Sequence, residues 1–312
     1  MSEFNSHIPV MLDEVLSFVP KGKKITYLDL TLGRAGHASN IMDKMLAGST
    51  FIGVDRDQEA LSYCEQYLSR YGKTVKQYFL HSTFSKAIPI LRKSGFAGAD
   101  LILMDIGVSS PQFDDPKRGF SYRYDALLDM RMDQGDSLTA KTVINTYSET
   151  ELIRVFRDLG QCKIYYPVVK KILQVREEKE IETTFELVDI IKNSLPAREL
   201  RKEGHPAKQF FLGLRYEVNH EIDELRSALK EALNFLNPKG RLIVISFNSE
   251  EDKIVKDAFK AVSENSHVDK YKKGQDESGY VLLTKKPLVP TQKEIEENNR
   301  SKPSILRAIE RR

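Results

Sequence analysis

The feature that most constrains the fold is a series of short runs in which apolar residues follow one another without alternation. Four such runs occur in the first third of the chain: Ile25–Thr31, Thr50–Asp55, Tyr78–His81 and Asp100–Asp105. A strand that is apolar along its length is buried on both faces, which is typical of a parallel sheet covered by helices. Helical periodicity between the runs, for example over Asp57–Tyr71, predicts crossover helices. The pattern predicts an α/β fold with a doubly wound, mainly parallel sheet.

This alternation stops in the middle of the chain. A turn-rich loop, Phe113–Asp136, is followed by helical patterns over Ser148–Leu159, Val168–Glu177 and Thr184–Asn193. The last of these follows Thr183, with Glu186 three residues on, which is the spacing of a capping box. We predict an inserted, mainly helical substrate-recognition subdomain over 113–215, within a ligand-binding domain formed by 1–112 and 216–312.

The alternation resumes after the predicted insertion. The pattern predicts a helix over Val218–Leu236, a turn over Asn237–Gly240, a strand over Arg241–Phe247 and a second helix over Lys253–Val262. Two more β-type runs, His267–Lys272 and Gly279–Lys285, are joined by a polar turn and predict an antiparallel pair at the sheet edge. We interpret Pro287–Arg312 as a charged tail.

Composition excludes several other classes of protein. The 312 residues include 48 Lys and Arg against 45 Asp and Glu, a net charge of +3, so a nucleic-acid surface must come from local clustering. The two cysteines, Cys64 and Cys162, form no C-x-x-C pair, which argues against a disulfide framework or a Cys-rich zinc site, and we expect no metal. No signal-peptide pattern and no run near the roughly 20 apolar residues of a membrane span is present. We predict a cytoplasmic protein without a membrane partner.

The first strand leads into a glycine-rich turn, Gly33-Arg-Ala-Gly36. Glycines let a backbone approach a ligand closely, and the start of the next helix offers free N–H groups. Because position 35 is Ala, the dinucleotide fingerprint G-x-G-x-x-G is absent, and a plain tight turn is the alternative. Asp55 closes the second strand about 20 residues later, a spacing that suits a carboxylate bound to ribose hydroxyls. We expect Asp57 to cap the following helix, which leaves the Asp55 carboxylate for a ligand. The glycine-rich turn and Asp55 together therefore favour an adenosine-type ligand.

A third motif follows the fourth strand. Asp105 stands at its carboxyl end, where open α/β sheets hold their chemistry, and a Gly/Ser/Pro loop continues to Gln112. Asp105, Ser109 and Ser110 are therefore candidate catalytic residues. The long loop beyond, rich in Asp, Arg and aromatic residues, is of the length that is usually functional or disordered.

A fourth motif is the basic stretch Lys192–Arg215. Six cations stand against two glutamates, and Phe210 and Phe211 lie among them. Cations beside aromatic rings suit phosphate contact with base stacking. A solvated helix face whose Phe pair packs inward is an equal alternative.

These motifs resemble the bacterial small-subunit ribosomal RNA cytidine N4-methyltransferases, the RsmH or MraW family. The blocks that carry the resemblance run in order along nearly the whole chain: His7–Glu14, Thr31–His37, Gly53–Asp57, Asp105–Gln112, Arg118–Ser121, Asp129–Asp133, Asn145–Ser148, His205–Ala207 and Glu294–Glu297.

The resemblance implies a Rossmann-like class I methyltransferase that uses S-adenosylmethionine to methylate N4 of a decoding-site cytidine in 16S rRNA, within the assembled small subunit. It implies cofactor contacts at Ala35, Gly36, His37, Asp55, Phe84, Asp105 and Gln112, with Phe84 against the adenine. For the predicted insertion we expect RNA phosphates at Arg118, Arg123, Arg131, Arg198, Arg201, Lys202 and Lys208. A homodimer is left open.

Three segments differ from the family pattern: 161–167, 208–213 and 248–250. A divergent paralogue that methylates another RNA site therefore remains an alternative. A small-molecule methyltransferase is a second one, although the basic and aromatic insertion argues against it.

Overall fold

The computed structural model describes residues 9–263 and 279–312. The chain divides into two compact units, the first made of residues up to Gly107 and from Asp223 onward, the second of Val108–Ile222.

The first unit is built on a seven-stranded sheet. Its strands are β1 (Thr26–Asp29), β2 (Ser49–Asp55), β3 (Val75–His81), β4 (Ala99–Asp105), β5 (Leu236–Ser246), β6 (Tyr280–Leu282) and β7 (Ile305–Arg311). The order across the sheet is β3-β2-β1-β4-β5-β7-β6. The first five strands pair in parallel, and β7 runs antiparallel to both of its neighbours. The predicted fold class, a Rossmann-like, mainly parallel doubly wound sheet, is confirmed.

The helices are α1 (Leu12–Ser17), α2 (Gly36–Met42), α3 (Gln58–Leu68), α4 (Phe84–Lys93), α5 (Ser110–Asp114), α6 (Ala140–Thr146), α7 (Glu149–Ile153), α8 (Tyr166–Glu178), α9 (Thr184–Ser194), α10 (Ala197–Leu200), α11 (Lys208–Asn219), α12 (Glu221–Phe235), α13 (Ser249–Ser263) and α14 (Gln292–Glu297). A π-helical turn, Arg154–Leu159, continues α7.

Burial explains why the apolar runs become central strands. Neighbouring residues such as Tyr27 and Leu28 point to opposite faces of the sheet, and both are fully buried. The same holds for Phe51 and Ile52 in β2. Since both faces of these strands are covered, a sequence with alternating polar residues would leave polar groups in the core.

Several predicted boundaries change. The predicted turn over 237–240 lies inside β5, where the register against β4 shifts between Ala99 and Leu101 and Lys239 has a φ of 63°. The interpretation of Pro287–Arg312 as a charged tail is wrong, because this segment contains α14 and β7. His267–Lys272 lies outside the described residues, whereas β6 from the second predicted run pairs with β7.

The second unit is helical and has its own core. The two predicted capping residues Thr183 and Glu186 form a complete capping box at the start of α9. Phe210 and Phe211 of α11 are 3% exposed and pack inward, Phe210 on Phe156 and Phe211 on Tyr122. Inward packing, one of the two alternatives for this Phe pair, is therefore what the structure contains.

Candidate active site

The turn after β1 is held to the end of β2 by one hydrogen bond. The Gly33 amide donates to Asp55 Oδ2 over 2.7 Å, and Gly33 has a φ of 52°. Ala35, at φ 60° and ψ 26°, is also left-handed, which is uncommon for a residue with a Cβ. Gly36 is the first residue of α2. The turn thus has the backbone geometry of a glycine-rich ligand loop at the edge where the parallel strands end.

Asp55 keeps acceptor capacity for a ligand. Its Oδ1 accepts from the Asp57 amide at 2.9 Å, and the Arg56 amide is a third backbone donor to this carboxylate. A carboxylate has about four lone-pair positions, so capacity remains for a sugar hydroxyl. Burial raises the pKa of Asp55 above its ordinary value. Asp57 caps α3 through the amides of Glu59 and Ala60, as predicted.

Asp105, at the end of β4, has one buried oxygen without a hydrogen-bond partner among the described residues. That atom is Oδ1, whereas Oδ2 lies 3.6 Å from His37 Nδ1. Burial raises the pKa of Asp105 to about 7, and the charge of Glu251 adds to the shift. A buried carboxylate oxygen without a donor is costly, so a ligand that donates a hydrogen bond there is favoured.

His37 is 7% exposed, and its second ring nitrogen contacts the backbone. Its Nε2 lies 2.8 Å from the Val10 carbonyl oxygen. Burial lowers the pKa of His37, so the neutral imidazole is favoured at neutral pH.

A third acid, Asp29 of β1, interacts through its charge with both His37 and Asp105. It accepts from the Tyr27 hydroxyl at 2.7 Å and from the Thr31 amide at 3.1 Å, and burial raises its pKa to about 6. The sequence motifs did not indicate Glu251, which is 1% exposed and accepts from the Phe247 amide at 2.8 Å. The sequence feature that could have identified Glu251 is its position five residues after β5, at the same sheet edge as Asp105.

Phe84 is the first residue of α4, three residues after β3, and is half-buried. Parallel strands end at one edge of the sheet. Asp55 and Asp105 are the last residues of β2 and β4, and the Gly33–Gly36 turn and Phe84 follow β1 and β3 at the same edge.

The remaining residues of the third motif belong to the second unit. Gln112 is 6% exposed, and its Oε1 accepts from the Ser109 amide at 3.2 Å. Ser109 is partly buried and precedes α5, whose first residue is Ser110.

Two of the cations predicted to bind RNA are engaged inside the second unit. Arg118 is 6% exposed and donates through Nη2 to the carbonyl oxygens of Arg131 and Met132, at 3.0 and 2.9 Å. The Arg131 guanidinium pairs with Asp129 over 2.6 Å and donates to the carbonyls of Gln134 and Asp136. These surroundings do not support the predicted phosphate contacts of Arg118 and Arg131, since both guanidiniums hold the loop together.

The other predicted cations lie on the surface. The exposed ones are Arg123, Arg198, Arg201, Lys202 and Lys208. Lys202 pairs with Glu199 at 2.6 Å, and Arg198 lies 3.8 Å from the same carboxylate. In the part of the chain that the structure describes, no three His, Cys, Asp or Glu side chains are grouped to hold a metal ion. None of the described helices is long and apolar enough to span a membrane.

Comparisons with known proteins agree with the motifs. A family model described as the MraW methylase family matches residues 4–312. A protein from Mesoplasma florum named ribosomal RNA small subunit methyltransferase H is 42% identical over 311 residues, covering 98% of this chain and 99% of its own. Its namesake from Leuconostoc mesenteroides is 41% identical over 312 residues, with coverages of 98% and 99%. Among solved structures, TrmN from Thermus thermophilus aligns over 99% of this chain and 50% of its own, with 11% identity and a TM-score of 0.44.

Proposed function

Because the chain belongs to the MraW methylase family, we propose that it transfers the methyl group of S-adenosylmethionine to the exocyclic N4 amine of a decoding-site cytidine in 16S rRNA. The observation that carries the proposal is the buried Oδ1 of Asp105, which has no hydrogen-bond partner among the described residues. It lies at the sheet edge where open α/β folds bind their ligands. An amine N–H is the kind of donor that this oxygen lacks.

The residues at this edge fit the cofactor. Asp55 would accept the ribose hydroxyls, and Phe84 would pack against the adenine. Ala35, Gly36 and His37 would line the turn, and Asp105 and Gln112 would complete the contacts. When bound, the sulfonium supplies an activated methyl group that needs little acid catalysis.

The protein's own task is alignment and proton removal. The amine of cytosine is a weak nucleophile because its lone pair is delocalised into the ring. An acceptor at Asp105 would hold an amine hydrogen, direct the lone pair toward the methyl carbon and take the proton afterwards. Holding the reacting atoms in line can supply about 7–11 kcal/mol in favourable cases. Ser109 and Ser110 stay predicted catalytic residues.

The second unit would recognise the RNA. Its exposed cations Arg123, Arg198, Arg201, Lys202 and Lys208 suit phosphate groups, and the target base must leave its stack to reach the sheet edge. The relatives named for the small ribosomal subunit support 16S rRNA as the substrate. The assembled subunit, and with it a cytoplasmic reaction, is the context that we propose. A homodimer stays a prediction.

The test is to incubate the protein with methyl-labelled S-adenosylmethionine and small subunits from cells that lack the enzyme. We expect N4-methylcytidine in the nuclease digest and none with the Asp105→Ala variant. Label in another nucleotide would indicate a divergent paralogue. Label on free cytidine but not on subunits would indicate a small-molecule enzyme and contradict the proposal.

A further inference from the structure

The hydrogen on His37 is placed by the Val10 carbonyl. A carbonyl oxygen can only accept, so the 2.8 Å contact requires that His37 Nε2 carry a hydrogen. In the neutral ring, Nδ1 then has no hydrogen and presents its lone pair. That lone pair lies 3.6 Å from Asp105 Oδ2, a few tenths of an ångström beyond hydrogen-bond length.

Two acceptors therefore face each other, one on a buried imidazole and one on a half-buried carboxylate. An ionised Asp105 opposite a neutral His37 would leave a carboxylate against a lone pair, with no hydrogen between them. A single proton, on either Oδ2 or Nδ1, removes this repulsion. The raised pKa of Asp105 and the lowered pKa of His37 agree with a pair that retains one proton near neutrality.

The surroundings allow that proton to move onto the imidazole. The negative charges of Asp29 and Glu294 act on His37 and raise its pKa, which opposes the effect of burial. Asp29 is itself held by the Tyr27 hydroxyl. On the other side of the pair, Glu251 disfavours an ionised Asp105. A cation at His37 thus has the favourable charges of Asp29 and Glu294 beside it, whereas an anion at Asp105 is opposed by the charges of Glu251 and Asp29.

We propose that His37 is a positioning residue that receives a proton from Asp105 during methyl transfer, so that Asp105 can remove a proton from the amine while it stays uncharged. This inference rests on the proposed function. Before reaction the shared proton is on Oδ2 and faces Nδ1, and the partnerless Oδ1 accepts an amine hydrogen of the substrate.

The proton and electron balance is complete without another reactant. The amine lone pair forms the C–N bond, the C–S bond breaks, and sulfur keeps that electron pair. The positive charge reaches the amine nitrogen, whose proton passes to Oδ1. The Oδ2 proton moves to Nδ1, which leaves a neutral Asp105 and an imidazolium at His37. After product release the imidazolium returns its proton to Oδ2, and the Oδ1 proton goes to water. Contacts of this kind often tighten when the substrate binds.

The first test is the pH dependence of single-turnover methylation of small subunits. His37→Gln retains an amide that can donate to Val10, but it cannot take up a proton. We expect at least a tenfold loss of rate at pH 7 with S-adenosylmethionine at saturation, and the affinity for S-adenosylhomocysteine is measured in parallel because His37 is itself a predicted cofactor contact. Without His37, Asp105 must ionise before it can act, so the rate of the variant should rise with pH and recover at alkaline pH. The unchanged protein should show a flatter profile.

His81→Gln is the matched control, because His81 Nε2 also lies 2.9 Å from a backbone carbonyl oxygen, that of Arg56. This variant should keep the rate and the pH profile of the unchanged protein. A parallel profile in His37→Gln, or a loss of rate explained by loss of S-adenosylhomocysteine binding, would overturn the relay. If the unchanged protein itself methylates no subunit, the proposed function fails instead.

The second test needs no bound ligand. Nitrogen NMR of the histidine rings should show His37 with hydrogen on Nε2 and none on Nδ1 at alkaline pH. In Asp105→Asn the side-chain amide can donate to Nδ1 and stabilise the neutral ring, so the pKa of His37 should fall. A hydrogen on Nδ1 at alkaline pH, or an unchanged titration in the variant, would contradict the inference.

Discussion

The Gly33 amide and the Asp55 carboxylate are joined by a 2.7 Å hydrogen bond that ties the turn after β1 to the end of β2. The same carboxylate accepts from the Asp57 amide, so Asp55 organises two loops as well as offering acceptors to a sugar.

Asp55→Ala should therefore weaken binding of S-adenosylhomocysteine by at least tenfold, because both the sugar contact and the turn geometry are lost. Isothermal calorimetry measures this. Asp57→Ala is the control: it removes the α3 cap and should cost about 1 kcal/mol of stability, with little change in affinity. Equal losses of affinity in the two variants would mean that Asp55 acts only through the fold.

Asp105→Asn should abolish methyl transfer and yet stabilise the protein at neutral pH. The pKa of Asp105 is raised to about 7 in the folded chain, against an ordinary value of 3.8. Between these values the folded state holds a proton that the unfolded state has released, so the carboxyl destabilises the fold progressively as pH rises from about 4 to about 7. The gain from Asn should be close to zero at pH 4 and reach up to about 4 kcal/mol at pH 8. Urea unfolding at both pH values measures it, and a gain that does not depend on pH would contradict the raised pKa.

Arg118→Ala should act on stability. Its guanidinium donates to the buried carbonyl oxygen of Met132 and to the partly buried one of Arg131, and leaving a buried group unpaired costs about 1–3 kcal/mol. We expect a lower midpoint of thermal unfolding, with the affinity of the folded protein for rRNA changed less than twofold. A large loss of RNA affinity without loss of stability would indicate that Arg118 does contact RNA.

Arg201→Ala should act on RNA affinity. Arg201 is exposed, and loss of one phosphate contact should reduce the slope of log affinity against log salt by about 1, for any RNA sequence. Filter binding over a salt series measures the slope, with Lys93→Ala, at the end of α4, as an exposed control outside the second unit. An unchanged slope would show that Arg201 makes no phosphate contact with the RNA.

The central strands could be predicted because consecutive apolar residues in the local sequence indicate burial on both faces. The strand β7 could not. Its Arg307 pairs with Asp252 and its Glu310 with Arg241, so charged residues that indicate a tail are neutralised by partners 55 and 69 positions away.

The candidate site divides in the same way. Spacing along the chain was enough to select Asp55 and Asp105, because each is the last residue of a strand. The role of Arg118 depends on carbonyl groups brought to it by folding, and the link from Val10 through His37 to Asp105 joins three distant segments. No local pattern encodes such contacts.

The position of β7 also has a consequence for biosynthesis. It is translated after β5 and β6, yet it lies between them in the sheet. In the described sheet, β6 pairs with β7 alone. While residues 305–311 are still inside the ribosomal exit tunnel, β6 has no strand to join and one edge of β5 remains open. Completion of this sheet must therefore wait until those residues emerge, so the last step of folding follows their synthesis.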